Sequence, residues 1–191
     1  MHEKILKLST GEEIFIYDNI FKPHEVHYWQ EYAEMSLYTM KPASSGIISQ
    51  QADTFFQSNF SSGDLDAFGI LRSNGFLKIK HLFGRRQVSR SWIVTSNPVS
   101  HFYFHPDNHL SCDGKSLLYY MNNKWDRDWG GETLFCNSDN EIELAVEFKP
   151  NRVVVFDSHL YHRSSPPSIK SNAIRMTFVA QFTHPIATVK D

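Results

Sequence analysis

Two histidines and one aspartate have the types and spacing needed to hold a metal ion. His105 and Asp107 are two residues apart, so on an extended segment their side chains point the same way. His162 follows much later, after a second apolar strand. Two imidazoles and one carboxylate would fill one face of an octahedral metal and leave three positions open, a ligand set typical of oxygen-activating Fe(II) sites. The sequence therefore predicts a non-haem iron site formed by His105, Asp107 and His162.

His159 competes with His162 for the place of the third ligand, because both follow the apolar run at residues 153–156. We favour His162, since residues 162–166 turn back toward the next strand and place His162 at its beginning. His159 is expected at the surface or beside the ligands, and its role stays open. A single histidine in such a chain is more often a surface or hydrogen-bonded core residue, but the ordered set of three argues against that interpretation.

Arg175 is a candidate anion-binding residue, because it begins an apolar strand that extends to residue 182. A buried guanidinium without a partner is costly, and its planar set of donors matches a carboxylate, so a dicarboxylic acid is a natural ligand. Thr177 lies on the same face and can add a hydroxyl, and Tyr120 can add a phenol from a neighbouring strand. The alternative is that Arg175 pairs with a carboxylate of the protein. The predicted metal site nearby favours a dicarboxylic acid, and not a protein carboxylate, as the partner of Arg175.

The composition is that of an ordinary soluble globular protein. The chain has 191 residues, 41% of them apolar and 14% aromatic, and a formal net charge of −2. This size predicts a single domain, residues 1–191. The charge gives no reason to expect nucleic acid or an anionic membrane as a partner, because the basic cluster of Arg85, Arg86 and Arg90 is too small.

Cysteine use and hydropathy predict a cytoplasmic location. The two cysteines, Cys112 and Cys136, form neither a disulfide framework nor a CxxC zinc motif. No stretch is apolar and long enough for a signal peptide or a membrane-spanning helix. The oligomeric state cannot be read from the sequence.

The sequence pattern changes from mixed to strand-rich near residue 86. Before it, we predict a hairpin at 5–8 and 13–17, a helix from Pro23, a second helix at 64–72, and an ambiguous segment at 75–83. After it, short aromatic and β-branched runs predict strands at 88–95, 101–104, 116–121, 132–135, 142–148, 153–156 and 174–182. Such a series predicts a sandwich, barrel or jelly roll. Residues 1–86 would pack on a catalytic core at 87–183.

The segment 105–182 resembles the Fe(II)/2-oxoglutarate-dependent oxygenases, and within them the prolyl-hydroxylase group. Six pieces occur in the family's order over about two-fifths of the chain, whereas the first hundred residues are only loosely similar. The pieces are His105-Pro106-Asp107-Asn108, Tyr119-Tyr120-Met121-Asn122-Asn123-Lys124-Trp125, Gly130-Gly131-Glu132-Thr133-Leu134, Pro150-Asn151-Arg152-Val153-Val154-Val155-Phe156, His162 with Pro166, and Arg175.

The resemblance implies a fold, a reaction and a set of ligands. The fold class is mainly β (α+β), with a double-stranded β-helix of the jelly-roll or cupin-like type and N-terminal supporting helices. Iron would bind His105, Asp107 and His162, and 2-oxoglutarate would chelate the metal and reach Arg175 and Tyr120. With O2, the reaction would hydroxylate a C–H bond and release succinate and CO2. The substrate would be a peptide or protein side chain, prolyl included, or a free amino acid or metabolite.

Two positions depart from the prolyl-hydroxylase pattern. Gln181 stands where that group often has tryptophan, and Thr95 stands where a tyrosine that contacts the cosubstrate is expected. Prolyl specificity and the oxidative outcome are therefore left open. Gln181 also replaces the second arginine of nucleic-acid demethylases, and the carboxylate of Asp107 argues against a halogenase.

Two other classes of function compete with the oxygenase interpretation. One is a non-enzymatic, cupin-like jelly roll that binds a metal or ligand through the same histidines and aspartate. The other is a hydrolytic or isomerising enzyme that uses zinc or manganese. Neither has a use for Arg175, which therefore discriminates between these classes and the oxygenase.

Overall fold

The computed structural model describes residues 1–40, 55–108 and 113–185, so His109 and Cys112 lie outside the described residues. The helices are α1 Pro23–Met35, α2 Ser62–Phe68 and α3 Asn74–Ile79, with short 3₁₀ helices at Ile70–Arg72, Lys80–Phe83 and Arg127–Trp129. The strands are β1 His2–Lys7, β2 Glu13–Asp18, β3 Thr39–Met40, β4 Phe56–Asn59, β5 Gln87–Ser96, β6 Lys115–Tyr120, β7 Thr133–Cys136, β8 Ile142–Val146, β9 Arg152–Asp157, β10 His162–Ser164 and β11 Arg175–Thr183.

Two antiparallel sheets make up the core. The larger sheet has the strand order β1-β2-β9-β6-β11-β5-β4-β3, and the smaller sheet has the order β10-β7-β8. The hairpin of β1 and β2 extends the larger sheet, because β2 pairs with β9. The predicted mainly β fold with a jelly-roll core and supporting helices is confirmed, and the division into 1–86 and 87–183 stays a prediction.

The helices cover one face of the larger sheet. Helix α1 begins with Pro23 at its first turn, and Glu25 accepts a hydrogen bond from the Lys22 backbone N–H at 2.8 Å. Trp29 of α1 is buried and donates its indole N–H to the Phe68 carbonyl at 2.7 Å. The ring of Trp29 packs edge-on against Tyr119 of β6, with ring centroids 5.6 Å apart. This apolar contact fixes α1 and α2 on the outer face of the sheet.

The opposite face of the larger sheet meets the smaller sheet, and strand alternation decides which side chains lie there. On β11, Met176, Phe178 and Ala180 join the helix-side core, whereas Val179 joins the core between the sheets. Because side chains alternate along a strand, Arg175, Thr177 and Gln181 lie on the same face as Val179. The space between the sheets therefore contains buried polar residues as well as an apolar core.

Some predicted elements differ from those in the structure. Residues 101–104 are not a strand: only His105 makes an isolated bridge, although Phe102 is buried and stacks on Phe55 with centroids 4.7 Å apart. Residues 64–72 do not form one helix, because Gly69 adopts φ 72° and ends α2. The ambiguous segment 75–83 is helical.

The short strands β3 and β4 were not predicted, because they are only two and four residues long. In the part of the chain that the structure describes, no helix has the length and apolar character needed to span a membrane.

Candidate metal and cosubstrate site

His105, Asp107 and His162 converge between the two sheets. One potential ligand atom from each lies within 4.8 Å of the others. The Asp107 carboxylate lies between the imidazoles, with His105 Nε2 3.8 Å from Oδ1 and His162 Nε2 3.7 Å from Oδ2. Two imidazole nitrogens and one carboxylate oxygen thus face a common point.

The backbone fixes the tautomer of both imidazoles. His105 Nδ1 lies 2.8 Å from the Tyr103 carbonyl oxygen, and His162 Nδ1 lies 2.9 Å from the Leu160 carbonyl oxygen. A carbonyl only accepts, so each Nδ1 carries the hydrogen and each Nε2 keeps its lone pair free for a metal. Burial, together with nearby His105, lowers the pKa of His162 against the opposing effect of Asp107. His162 is therefore neutral at neutral pH, the form that binds metals.

Backbone hydrogen bonds clamp together the segments that contain these side chains. His105 and His162 exchange N–H···O bonds of 3.1 Å in both directions, and the Asp107 N–H donates to the Ser158 carbonyl at 2.8 Å. The His105 side chain is 52% exposed, whereas Asp107 and His162 are 5% and 7% exposed. The site is therefore most open on the side of His105.

Ser116 orients the Asp107 carboxylate, and this role was missed in the sequence. Its hydroxyl donates to Asp107 Oδ2 at 2.5 Å and lies 2.9 Å from Ser158 Oγ. Ser116 is fully buried on β6, on the same face as Leu118 and Tyr120. A serine inside an apolar strand, in phase with Tyr120, was the signal that could have identified it.

We expect Ser116→Ala to weaken metal binding by about tenfold to a hundredfold, because the carboxylate loses the hydrogen bond that holds its orientation. The measurement is a metal titration of the purified variant under anaerobic conditions. Ser36→Ala is the matched control: that hydroxyl donates to the Tyr32 carbonyl at the end of α1, far from the site in the fold. Wild-type metal affinity in Ser116→Ala would show that Ser116 does not position Asp107.

Arg175 is fully buried and lacks a carboxylate partner among the described residues. Its Nε donates to the Gly131 carbonyl at 2.9 Å and its Nη1 to Thr177 Oγ1 at 2.8 Å. Its Nη2 is buried and has no hydrogen-bond partner. Burial lowers the pKa of Arg175 to about 10, so the guanidinium is still charged at neutral pH. The alternative of a salt bridge within the protein is therefore not supported by the described residues.

Tyr120, Thr177 and Gly131 surround this guanidinium. Thr177 accepts its hydrogen bond, and the Tyr120 ring lies beneath it, with Arg175 Cζ 5.5 Å from the ring centroid. The Tyr120 hydroxyl lies 2.7 Å from Thr133 Oγ1. Gly131, at φ 85°, leaves space that a Cβ would fill 3.3 Å from Arg175 Cδ. The glycine thus permits close approach of the backbone to Arg175.

Two residues singled out in the sequence lie away from this arrangement. His159 is partly exposed and lies 3.7 Å from Glu12 Oε1, outside the convergent group. Thr95 pairs in register with Met176 and therefore faces the helices, on the opposite side of the sheet from Arg175. The absence of tyrosine at Thr95 therefore does not alter the space between the sheets.

The donor set and the unpaired arginine fit ferrous iron and 2-oxoglutarate. Two imidazoles and one carboxylate, without thiolate, suit a non-haem Fe(II) centre. The unpaired Nη2 of Arg175 is a charged donor of the kind that binds a carboxylate. Metal ligands and a buried cation that lie between the same two sheets match a keto diacid that binds the metal at one end.

Comparison with known protein families gives a match over the strand-rich part of the chain. Residues 91–182 match the sequence model of the 2OG-Fe(II) oxygenase superfamily. This range includes His105, Asp107, His162 and Arg175. No curated protein sequence matches the chain.

Solved structures of similar fold include several oxygenases. A prolyl hydroxylase from Trichoplax adhaerens, in complex with a hypoxia inducible factor peptide fragment, aligns with TM-score 0.67 and 14% identity over 89% of this chain and 83% of that one. A prolyl-4-hydroxylase from Pseudomonas putida aligns with TM-score 0.64 and 17% identity over 91% and 93%. HygX from Streptomyces hygroscopicus, with nickel and 2-oxoglutarate bound, aligns with TM-score 0.67 and 11% identity over 92% and 84%.

Proposed function

We propose that this chain, whose residues 91–182 match the 2OG-Fe(II) oxygenase superfamily, hydroxylates a C–H bond of its substrate and releases succinate and CO2. The proposed metal ligands are His105, Asp107 and His162. The observation that carries the proposal is the buried Nη2 of Arg175, which has no hydrogen-bond partner among the described residues.

When bound, ferrous iron supplies the reduction of O2 that couples decarboxylation of 2-oxoglutarate to insertion of one oxygen atom into the substrate. Residues of this chain supply binding and orientation. The carbonyls of Tyr103 and Leu160 hold the imidazoles of His105 and His162 in the tautomer that binds a metal, and Ser116 orients the Asp107 carboxylate.

At the other end of the site, Arg175 would bind the distal carboxylate of 2-oxoglutarate, and its contacts with Thr177 and Gly131 hold the guanidinium in place. Tyr120, beneath the guanidinium, would contribute a phenol to that end.

The proposed substrate is a peptide or protein side chain, with proline as one candidate, or a free amino acid or small metabolite. Similarity of fold to two prolyl hydroxylases supports the first class. Gln181 stands where prolyl hydroxylases commonly have tryptophan, so this chain differs from that group at one position of the site and its substrate need not be proline. The net charge of −2 supports a substrate other than nucleic acid. We also propose a cytoplasmic location, which suits the free, buried thiol of Cys136.

The non-enzymatic cupin-like alternative is not favoured. A jelly roll that only binds a metal has no use for a buried guanidinium, and burying this charge without an ion-pair partner costs stability. The zinc or manganese hydrolase is disfavoured for the same reason.

The test combines a binding measurement with a product measurement. Adding Fe(II) and 2-oxoglutarate to the purified protein without O2 should produce a weak visible charge-transfer band that neither component gives alone. On admission of O2, succinate should form, and mass spectrometry of a peptide, amino-acid and metabolite library should detect products that gain one oxygen atom. Tight zinc binding without the band or succinate would favour the hydrolytic alternative.

A further inference from the structure

Arg90 lies beside the candidate metal ligands in a row of polar residues that crosses three strands. In the register of the larger sheet, Arg90 of β5 is opposite Gln181 of β11, and Gln181 is opposite Ser116 of β6. Ser116 in turn donates to the Asp107 carboxylate. The row Arg90–Gln181–Ser116 therefore ends at a proposed metal ligand. None of these three residues was assigned a function from the sequence.

The guanidinium of Arg90 is held in place although the residue is exposed. Its Nε donates to Gln181 Oε1, and its Nη2 donates to the Asp107 carbonyl oxygen at 3.3 Å. Its Cζ lies 5.1 Å from the centroid of the Trp92 ring. An exposed arginine normally samples many rotamers, and these contacts restrict it before any ligand arrives. The orientation depends on Gln181, which is 1% exposed.

The charge of Arg90 is not neutralised within the described residues, where no carboxylate forms an ion pair with it. The Gln181 amide that accepts its hydrogen bond is neutral, and the Nε2 of that amide is buried without a partner. A fixed cation and an unused amide donor thus lie next to each other at the Asp107 end of the site. Both features favour an anionic, hydrogen-bond-accepting ligand.

A role in holding Asp107 in place does not by itself explain why the Arg90 guanidinium is oriented by several contacts. The bond between them involves the main-chain carbonyl and is long at 3.3 Å. Asp107 is already held by the Ser158 carbonyl through its N–H and by Ser116 through its carboxylate. A tryptophan face and a buried glutamine are needed to aim the guanidinium, but neither is needed to hold Asp107.

We propose that Arg90 is a specificity-determining residue that binds a carboxylate of the substrate, with Trp92 as the apolar wall beside it. The inference rests on the proposed oxygenase function and names its substrate class. One planar guanidinium matches one carboxylate bidentately. The carboxylate can belong to a free amino acid or to an acidic side chain of a peptide, and the experiment separates these two sources.

The experiment compares substrates that differ only in this charge. Wild type, Arg90→Gln and Arg85→Gln are assayed with Fe(II), 2-oxoglutarate and O2 for succinate and for oxygenated product. The probes are free L-amino acids against their amides, and blocked peptides containing Asp or Glu against the same peptides with Asn or Gln. Arg85→Gln is the matched control, because it removes the same charge from an exposed residue of the turn before β5.

We expect wild type to prefer the acid over the neutral partner by roughly tenfold to a hundredfold in kcat/KM, mainly through KM. In Arg90→Gln the ratio of kcat/KM for the acid to kcat/KM for its neutral analogue should fall to about one, and in Arg85→Gln it should stay at the wild-type value. A preference within the amino-acid pairs identifies a free acid as the source, and one within the peptide pairs identifies an acidic side chain.

Three outcomes would overturn the inference. Wild type could prefer the neutral analogue over the acid, or Arg90→Gln could lose kcat/KM equally for the acid and for its neutral analogue. The third outcome is that protein that binds Fe(II) and 2-oxoglutarate turns over none of the probes. Failure to bind Fe(II) and 2-oxoglutarate at all would instead overturn the proposed function.

Discussion

His162→Ala is expected to reduce iron-dependent succinate formation by more than about a hundredfold, since removing a ligand should exceed the tenfold to hundredfold cost of removing a residue that only orients one. The geometry gives the reason: His162 Nε2 lies 3.7 Å from Asp107 Oδ2, and its tautomer is fixed by the Leu160 carbonyl. The measurements are Fe(II) affinity and the initial rate of succinate release. His105→Ala should give the same result.

The controls for this prediction separate ligation from packing. The His162 ring also packs against Phe156 and Phe135, with centroids 4.7 and 5.9 Å away, so His162→Ala leaves a cavity. His162→Phe keeps an aromatic ring there and should remain inactive. His159→Ala, three residues earlier, should retain most of the activity, because His159 faces Glu12. If His159→Ala were the inactive variant, the choice of His162 as third ligand would be wrong.

The polar residues of the candidate site could be singled out from the sequence because their physical requirements are strict. A histidine and an aspartate two residues apart share a face of extended chain, and a lone arginine in an apolar strand needs an anion. The structure places His105, Asp107 and His162 within ligand distance of one another and buries Arg175 without an ion-pair partner among the described residues. These signals depend on side-chain chemistry and strand alternation, so small errors in strand limits did not affect them.

Features that depend on register between distant strands could not be predicted. The contact between Arg90 and Gln181 joins residues 91 positions apart, and only the pairing of β5 with β11 brings them together. The same pairing sends Thr95 to the helix side, which the sequence could not show. Residues 101–104 resemble a strand in sequence because aromatic residues favour strands. This preference reflects side-chain packing, and here the aromatic side chains pack although the segment has no hydrogen-bonded partner strand.

Arg175→Met is expected to raise the 2-oxoglutarate requirement by about thirtyfold to several hundredfold, because a charge-assisted bidentate contact is worth roughly 2–4 kcal/mol. Methionine has a similar length and fills the space without a charge. The measurements are KM for 2-oxoglutarate and the rise in melting temperature that 2-oxoglutarate produces, which should be lost in this variant. Arg127→Met, at an exposed arginine that pairs with Glu147, is the matched control.

The ligand-free stability of Arg175→Met should distinguish a cosubstrate-binding role from a structural one. Burial lowers the pKa of Arg175 to about 10, so keeping this guanidinium charged in the folded protein has a cost in stability. Removing the side chain also leaves the Gly131 carbonyl and Thr177 hydroxyl unpaired, at about 1–3 kcal/mol each. These two effects oppose each other, so the free energy of unfolding without ligand should change little. A large loss of stability with unchanged 2-oxoglutarate affinity would mean that Arg175 serves the fold instead of the cosubstrate.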